Sequence, residues 1–390
     1  MSKESEPSWG FERNSLMTQR NYEAWGLELI DSEKLRLLSS KDKLVYLLSF
    51  GVLAPSTHNT QPWAFKLSQN MDGFEVYLDR DRVLPASDHL GRQAVLSVGA
   101  SIENIKTVAS CYGLKIGERE SEVSLDEVMS YSRSKNMERY VKLSELEVVG
   151  TVNPINMSIV RAILSRRVNR GKDYDLSRDI PEEVMNRLRG AGENGVEVHL
   201  LRRGDGGVET IASIQSLIDA FVGNLSDFKL ELGEWMKSFD TRDLFGMPTS
   251  TFLLDEDFGM ELIKDLRGEI PHMATRMGGI SKNSLNGIRN AGMVGVITVD
   301  EQSVGSWLRA GKVVSRVGNL LEQDGVENAF FAGIAEAATM KFGVVSPIIS
   351  GFLKNKFSTN NDPIILFRSG YGGENRPPHA PRAPLEEVLI

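Results

Sequence analysis

The sequence predicts an α+β fold in which long helices surround antiparallel or mixed sheets. Segments with apolar residues at helical spacing alternate with short strand-like pairs, and the order helix, strand pair, helix occurs in both halves. No exact sequence repeat accompanies this recurrence. With 41% apolar and 25% charged residues among 390, the composition is that of an ordinary globular protein of two or three domain-sized units.

The first half is expected to span residues 39–150, after a polar, aromatic-spotted N-terminal arm at 1–38. Its elements follow from apolar periodicity and from turn residues such as the sequence QNMDG. The predicted elements are a helix at 39–54, strands at 63–67 and 74–80, a helix at 91–113, and strands with a loop at 117–147.

The second half is expected to span residues 151–390. Residues 241–290 are rich in Met and Gly with weak periodicity, and we interpret them as irregular cover or short helices, a candidate lid. Residues 375–390 form a Pro-rich tail that prolines hold extended. The other predicted elements are helices at 158–165, 180–192, 208–240 and 306–325, and strands at 196–202, 291–299 and 363–372.

Charge and cysteine usage exclude several classes of protein. The 45 basic and 53 acidic residues give a net charge of −8, which argues against a nucleic-acid binder. The single Cys111 rules out an internal disulfide and a Cys-rich zinc site. The apolar stretch 328–353 is broken by charges and a proline, so we expect no membrane span, and the N-terminus shows no secretory signal. We therefore expect a cytoplasmic protein.

The strongest local motif is APSTHNTQPW at residues 54–63. Pro55 and Pro62 fix the backbone, while the short polar residues between them supply hydrogen-bond donors and acceptors. A rigid loop of this kind beside Trp63 suits a flat heteroaromatic ligand. The alternative is a capped turn between a helix and a strand.

Two basic segments lie in the second half. Residues 165–170, SRRVNR, place three arginines after an apolar helical run, a geometry suited to phosphate; the alternative is a solvated basic turn. The tail segment 376–387 is pre-extended by prolines and can deliver Arg382 to a distant site; the alternative is a disordered terminus.

Other functional motifs are missing from the sequence. No P-loop, no Rossmann fingerprint, no HExxH or CxxC motif and no GxSxG elbow occurs. The five histidines are scattered without metal-ligand partners, so we predict no metal site. We also assign no catalytic acid–base residues.

Together these motifs resemble a known family. APSTHNTQPWAF is similar to the flavin-contacting loop of the nitroreductase superfamily, SRRVNR resembles its arginine signature, and PRAPLEEV resembles its C-terminal ending. The sequences VYLDRDRVLPASDHLGRQAVLSVGASIENI and SWLRAGKVVSRV further resemble the long, single-chain, Acg-like branch. The similarity spans roughly residues 40–389.

The resemblance implies a nitroreductase-like fold that binds FMN, normally at the interface of a homodimer. In the family the PSxxN loop and the two basic elements come from different subunits, whereas here they lie in different halves of one chain. We therefore predict two fused halves that form an intramolecular pseudo-dimer. Because no second set of motifs is present, we expect one intact FMN site per chain.

The resemblance also assigns the site residues. Pro55, Ser56, Thr57 and Asn59 are expected to line the flavin ring with Gln61 close by, Arg166 and Arg382 to hold the phosphate, and Arg170 to lie near flavin N1 and O2. The complete set of predicted cofactor-binding residues is Pro55, Ser56, Thr57, Asn59, Gln61, Arg166, Arg167, Asn169, Arg170 and Arg382.

The implied function is an FMN-dependent oxidoreductase that moves a hydride from NAD(P)H to flavin and then reduces a nitroaromatic, a quinone or an unknown small acceptor. The alternative is a non-catalytic protein that binds or sequesters FMN beneath the lid. A third option is a specialised dehydrogenation with oxygen as acceptor. We expect a monomeric pseudo-dimer or a weak homo-oligomer, with small molecules as its partners.

Overall fold

The computed structural model describes residues 19–129, 138–171, 174–339, 344–372 and 376–390. In these ranges the chain forms helices around two four-stranded antiparallel sheets, which confirms the α+β class. None of the helices described there has the length and apolar character needed to cross a membrane.

The two sheets share one strand order. Counted along the chain within each sheet, the order is first, second, fourth, third, and every neighbouring pair is antiparallel. The first-sheet strands are β1 (Trp63–Leu67), β2 (Gly73–Asp79), β3 (Leu114–Glu120) and β4 (Tyr140–Thr151). The second-sheet strands are β5 (Val196–Arg202), β8 (Met293–Val299), β9 (Glu327–Phe331) and β10 (Asp362–Gly370), while β6 (Met236–Lys237) and β7 (Met247–Pro248) form a short parallel pair.

The helices follow the predicted periodicity closely in the first half. Helix α2 begins after Ser39, whose hydroxyl accepts a hydrogen bond from the backbone N–H of Asp42 at 3.1 Å. The helices are α1 (Ser32–Leu37), α2 (Ser40–Gly51), α3 (Arg92–Cys111), α4 (Leu125–Met129), α5 (Ser158–Ser165), α6 (Glu182–Arg189), α7 (Val208–Val222), α8 (Ser226–Trp235), α9 (Glu256–Leu266), α10 (Ala274–Arg289), α11 (Val304–Gln323), α12 (Gly333–Thr339) and α13 (Val345–Phe357).

Helices α3 and α11 form the central contact between the two sheets, and glycine lets them approach closely. A Cβ added at Gly99 of α3 would collide with the carbonyl oxygen of Leu308. One added at Gly311 of α11 would collide with the carbonyl oxygen of Leu96. The two contacts are therefore reciprocal, since each glycine faces the residue three positions before the other.

The segment between β5 and β8 is an insertion that has no equivalent between β1 and β2, which form a hairpin. It carries α7, α8, α9 and α10 and a small apolar core of its own that includes Leu232, Met247 and Leu262. The expected short helices of residues 241–290 are thus partly wrong, because α10 runs for 16 residues. Glycines and scattered polar residues hide its periodicity in the sequence.

The described part of the N-terminal arm and the C-terminal tail meet beside the first sheet. The C-terminal tail docks on β1, where Phe65 N–H donates to the carbonyl oxygen of Val388 at 2.8 Å and Ile390 N–H donates to that of Phe65 at 2.8 Å. The described part of the N-terminal arm folds into a 3-10 turn at Arg20–Gly26. Residues 1–18 of the predicted arm lie outside the described residues.

Candidate functional site

The loop between α2 and β1 has a backbone conformation that few side chains adopt. His58, Asn59 and Gln61 have φ values of 49°, 56° and 51°, in the left-handed region. Each such residue costs about 1 kcal/mol or more, and the conformation persists only where surrounding contacts offset that cost. A conformation of this kind is typical of a functional loop supported by a rigid scaffold.

Asn59 and Gln61 supply much of this support. The Asn59 amide donates to the carbonyl oxygens of Gly246 and Pro381, both at 2.9 Å. The Gln61 amide donates to Leu244 O at 2.8 Å and accepts from Ala383 N–H at 2.9 Å. The two side chains therefore fasten both the insertion and the tail to the loop.

The start of the loop is tied to helix α3. Thr57 Oγ1 donates to Gln93 Oε1 at 2.9 Å, and Ser56 Oγ accepts the backbone N–H of Gln61 at 3.0 Å. Pro55, Ser56 and Thr57 are all half-buried. These three predicted site residues thus line one partly accessible edge of the loop.

Arg166 and Arg382 reach the same place from the second half. The Arg166 guanidinium donates to Leu53 O at 3.0 Å, and the Arg382 guanidinium donates to Ala54 O at 3.1 Å. Both side chains are buried, and the Nε atom of each has no hydrogen-bond partner among the described residues. Arg382 also donates to Asn59 Oδ1 at 2.6 Å.

Arg170 completes a cluster of three cations. Its guanidinium lies 4.8 Å from the ring centre of Phe252. Burial lowers the pKa of Arg166 to about 10 and that of Arg170 to about 10. The pKa of Arg382 is lowered by burial and by the positive charges of Arg166 and Arg170.

No carboxylate neutralises this cluster within the described residues. Glu322, which opposes the fall in the pKa of Arg166, is itself paired with Arg376. Burying uncompensated charge is costly, so the three guanidinium groups, with the unpaired Nε donors of Arg166 and Arg382, fit an anion that the protein binds. A phosphate monoester has the charge and the acceptor oxygens for this site.

Arg167 and Asn169 hold different positions from the cluster. The Asn169 amide donates to Glu327, and its oxygen accepts the N–H of Gly171 at 2.8 Å, so the side chain shapes the turn after α5. Arg167 is half-buried and lowers the pKa of the neighbouring His379 through its positive charge. Their assignment to the cofactor remains a prediction.

The sequence predicted an N-terminal arm that wraps another lobe, but not which residues the arm contacts. Trp25 Nε1 donates to Ala380 O at 2.8 Å, and the Arg382 guanidinium lies 5.0 Å from the Trp25 ring centre. The backbone N–H of Arg382 donates to Asn21 O at 2.7 Å. The arm thus clamps the tail against the loop, and only the aromatic residues of the arm signalled this in the sequence.

A second missed feature is a polar pair on the second sheet. Asn328 of β9 and Ser369 of β10 are cross-strand partners with no exposed surface, and their side-chain polar atoms lack partners among the described residues. Asn328 and Arg166 both lie next to Gly318 of α11. Because an unsatisfied buried polar group costs about 1–3 kcal/mol, these atoms mark further places where a ligand or water belongs.

His58 is expected to make the stability of the protein depend on pH. Burial and the charge of Arg170 lower its pKa from 6.5 to about 4. The unfolded chain therefore takes up a proton as the pH falls through 6.5, while the folded chain stays neutral at this residue until about pH 4.

We therefore expect the free energy of unfolding to fall between pH 6.5 and 4, with His58 contributing about 3 kcal/mol. Urea unfolding of the His58→Asn variant, whose side chain tolerates the positive φ, should show a shallower fall. His89→Asn, at an exposed residue, is the control. Equal slopes in the native protein and His58→Asn would contradict this assignment.

Comparison with known proteins adds a resemblance over short segments. No family model matches the chain. A Mycobacterium tuberculosis (strain H37Rv) protein named "Putative NAD(P)H nitroreductase acg" is 40% identical over 60 residues, and an uncharacterized protein of the same organism is 42% identical over 55 residues. This chain resembles the Acg-like nitroreductases. The matched segments cover 15% and 14% of this chain but only 18% and 16% of those relatives.

Similar solved structures include three nitroreductases, all with TM-scores too low to bear on the fold or the site of this chain. NfnB of Mycobacterium smegmatis, in complex with NADPH, has a TM-score of 0.35 at 16% identity and covers 57% of this chain and 94% of its own. A Bacteroides fragilis nitroreductase with bound FMN has a TM-score of 0.33 at 10% identity, covering 57% and 91%. NfnB from "sphigopyxis sp. strain HMH" has a TM-score of 0.36 at 13% identity and covers 60% of this chain and 97% of its own.

Proposed function

We propose that this protein binds FMN and acts as an FMN-dependent oxidoreductase of the nitroreductase type. The observation that carries the proposal is the convergence of Arg166, Arg170 and Arg382, without a carboxylate partner among the described residues, beside the strained loop at 54–62. The acg relative, which is named as an NAD(P)H nitroreductase, supports the same function. FMN carries both the phosphate and the flat ring that these two features suit.

The residues divide into two groups by what they offer. Arg166 and Arg382 supply buried guanidinium donors for the phosphate. Residues 55–59 offer hydroxyl and backbone groups to the ring, and Arg170 supplies a positive charge near its N1 and O2. When bound, the flavin would supply the hydride and electron chemistry, which is why the protein needs no acid–base pair of its own.

We further propose that the chain is an intramolecular pseudo-dimer with one site. The identical strand order of the two sheets and the reciprocal Gly99 and Gly311 contacts support two equivalent halves. The halves differ where the site lies. The tail covers the edge of β1, whereas among the described residues the outer edge of β5 is bridged only by Glu193 of the short turn that precedes it.

Two measurements test this function: the ratio of bound flavin to protein chain, and the reduction of the bound flavin by NADH or NADPH. We expect the purified protein to be yellow, with a flavin-to-chain ratio near one, because only one half carries the loop and only the other carries the arginines. Bound flavin should bleach near 450 nm in stopped-flow mixing with NADH or NADPH. A ratio near two would contradict the single site, and no bleaching with either nucleotide would contradict the nicotinamide-dependent activity.

One observation favours the alternative of a non-catalytic FMN-binding protein. The insertion is fastened to the loop by the hydrogen bonds of Asn59 and Gln61 to Gly246 and Leu244. Glu231 of the insertion also accepts the backbone N–H groups of Ala86 and Ser87 at 2.8 and 2.9 Å. An insertion held this firmly would keep nicotinamide from the flavin ring. If the protein sequesters FMN, NAD(P)H should reduce the flavin slowly, and substitutions that remove these hydrogen bonds should make the reduction faster.

The physiological partners follow from the proposal. We propose a small-molecule acceptor, such as a nitroaromatic or a quinone, and NAD(P)H as the source of electrons. A monomer or weak homo-oligomer in the cytoplasm is consistent with the pseudo-dimer and with Cys111, whose buried thiol has its pKa raised to about 11. Gel filtration of the purified protein tests the monomeric state.

A further inference from the structure

The segment that leads into Arg382 brings a histidine to the edge of the arginine cluster. The ring of His379 lies against the indole of Trp25, with 4.1 Å between the ring centres, and the Arg382 guanidinium lies 5.0 Å from the centre of the same indole. The Nδ1 atom of His379 is buried and has no hydrogen-bond partner among the described residues. His379 therefore brings a buried, unpartnered polar atom close to the site that we propose for the phosphate.

The charges around His379 are mostly positive. Burial lowers its pKa well below 6.5. Four positive charges lower it further: those of Arg167, Arg382, Arg166 and Arg376. The nearby carboxylates Glu322 and Glu327 face Arg376, at 2.5 and 3.6 Å, and the Tyr22 hydroxyl on the arm stays protonated because burial raises its pKa to about 12. The ring of His379 is therefore neutral at about pH 7 when no anion is bound.

A bound phosphate would reverse the electrostatic effect on His379. Its negative charges would offset the repulsion from Arg166 and Arg382 and would favour the charged form of the ring. The same anion carries acceptor oxygens, which a protonated Nδ1 needs and which no described residue offers it. The arginines themselves exchange no proton at neutral pH, because a guanidinium keeps its charge in proteins. Phosphate binding and protonation of His379 should therefore strengthen each other.

We propose that His379 is a further residue of the anion site and that it takes up a proton when the phosphate of FMN binds. This inference rests on the proposed function in taking FMN as the source of the phosphate. The proton passes from solvent to the ring, so the protein gains one positive charge in the complex. A purely structural His379 would instead stay neutral and pack on Trp25 in both states.

Isothermal titration of the purified full-length chain with FMN measures this proton. Titrations at about pH 7, where a phosphate monoester is mostly a dianion, are made in Pipes, Hepes and Tris. The dependence of the observed enthalpy on the ionisation enthalpy of the buffer gives the number of protons taken up. We expect about 0.3 proton or more per FMN. Riboflavin has the same ring without the phosphate, and equal proton uptake with riboflavin would contradict the inference.

Two substitutions identify the histidine that takes up the proton. His379→Phe keeps an aromatic ring against Trp25 but cannot be protonated, so the uptake should fall below about 0.1 proton. His58→Asn removes the other buried histidine near the cluster, whose pKa is lowered by burial and by Arg170, and should leave the uptake unchanged. His89→Phe, at an exposed residue, is the control. Uptake that is lost in His58→Asn but kept in His379→Phe would assign the proton to His58 and overturn the inference.

The pH dependence of FMN affinity gives a second measurement. By linkage, an uptake of about 0.3 proton raises the FMN affinity of the native protein about threefold from roughly pH 8 to 6.5, relative to that of His379→Phe. The ratio of the two proteins cancels the titration of the phosphate itself, and a ratio that stays constant with pH would contradict the inference.

Inorganic phosphate separates this inference from the proposed function. If the native protein binds FMN without taking up a proton, the role of His379 is refuted and the proposed function stands. If it binds no FMN but takes up the same proton on binding inorganic phosphate, the proposed function fails and the role of His379 stands. If it binds neither, both fail.

Discussion

Replacing Arg382 with Met is expected to weaken FMN binding by roughly 10- to 100-fold while changing the stability of the flavin-free protein by about 1 kcal/mol or less. The loss of affinity follows because a charge-assisted contact to phosphate contributes roughly 1.5–3 kcal/mol. The small effect on stability has a separate cause. Arg382 is buried beside Arg166 and Arg170 with no carboxylate to neutralise it, so its removal also relieves repulsion and desolvation.

These opposite expectations distinguish a ligand-binding arginine from a structural one. A structural role, through the hydrogen bonds from Arg382 to Ala54 O and Asn59 Oδ1, predicts that stability and flavin binding fall together. Urea unfolding of the flavin-free protein and fluorescence titration with FMN measure the two quantities. Arg119→Met, at a surface side chain that is 78% exposed, is the matched control and should change neither. Unchanged FMN affinity in Arg382→Met would refute the phosphate assignment.

In the candidate site, the local sequence predicted the kind of loop but not the residues that its side chains contact. The composition of residues 54–63 predicted a rigid loop, and three left-handed residues confirm that its backbone is unusual. The partners of its side chains were not predictable, because Asn59 and Gln61 bind Gly246 and Ala383, which are far away in sequence. Such contacts depend on how the insertion and the tail pack, which no local pattern encodes.

In the fold, too, the elements set by local sequence were predictable, and those set by tertiary contacts were not. The hairpin of β1 and β2 was predictable, because two alternating strands flank a turn sequence. Strand β9 was missed, since its five residues begin just after a glycine turn and show no clear alternation. It exists because it pairs with β10, whose burial is nearly complete. The extended tail was predictable from its prolines, but its clamp by Trp25 was not.

Replacing either of the reciprocal glycines of α3 and α11 is the second change for which we expect a large effect, here on the stability of the protein. Gly99→Ala should lower the free energy of unfolding by about 3 kcal/mol, at the upper end for overpacking, because the new methyl group meets the backbone carbonyl of Leu308 rather than a flexible side chain. Gly311→Ala should cost a similar amount through Leu96. Urea unfolding, followed by far-UV circular dichroism, measures both.

Gly278 provides the matched control for the same substitution. It lies on the exposed side of α10 with nothing near the position of an added Cβ, so Gly278→Ala should be neutral or should stabilise the protein by up to about 1 kcal/mol through helix propensity. The sign of the effect therefore separates packing from propensity.

The double variant Gly99→Ala/Gly311→Ala tests the equivalence of the two halves. If both glycines set one distance between α3 and α11, the first methyl group already forces the helices apart, and the second then costs less than it does alone. The double variant should thus lose clearly less stability than the sum of the single variants. Strict additivity, or a large loss for only one of the two glycines, would contradict a reciprocal contact and with it the strongest structural support for a pseudo-dimer.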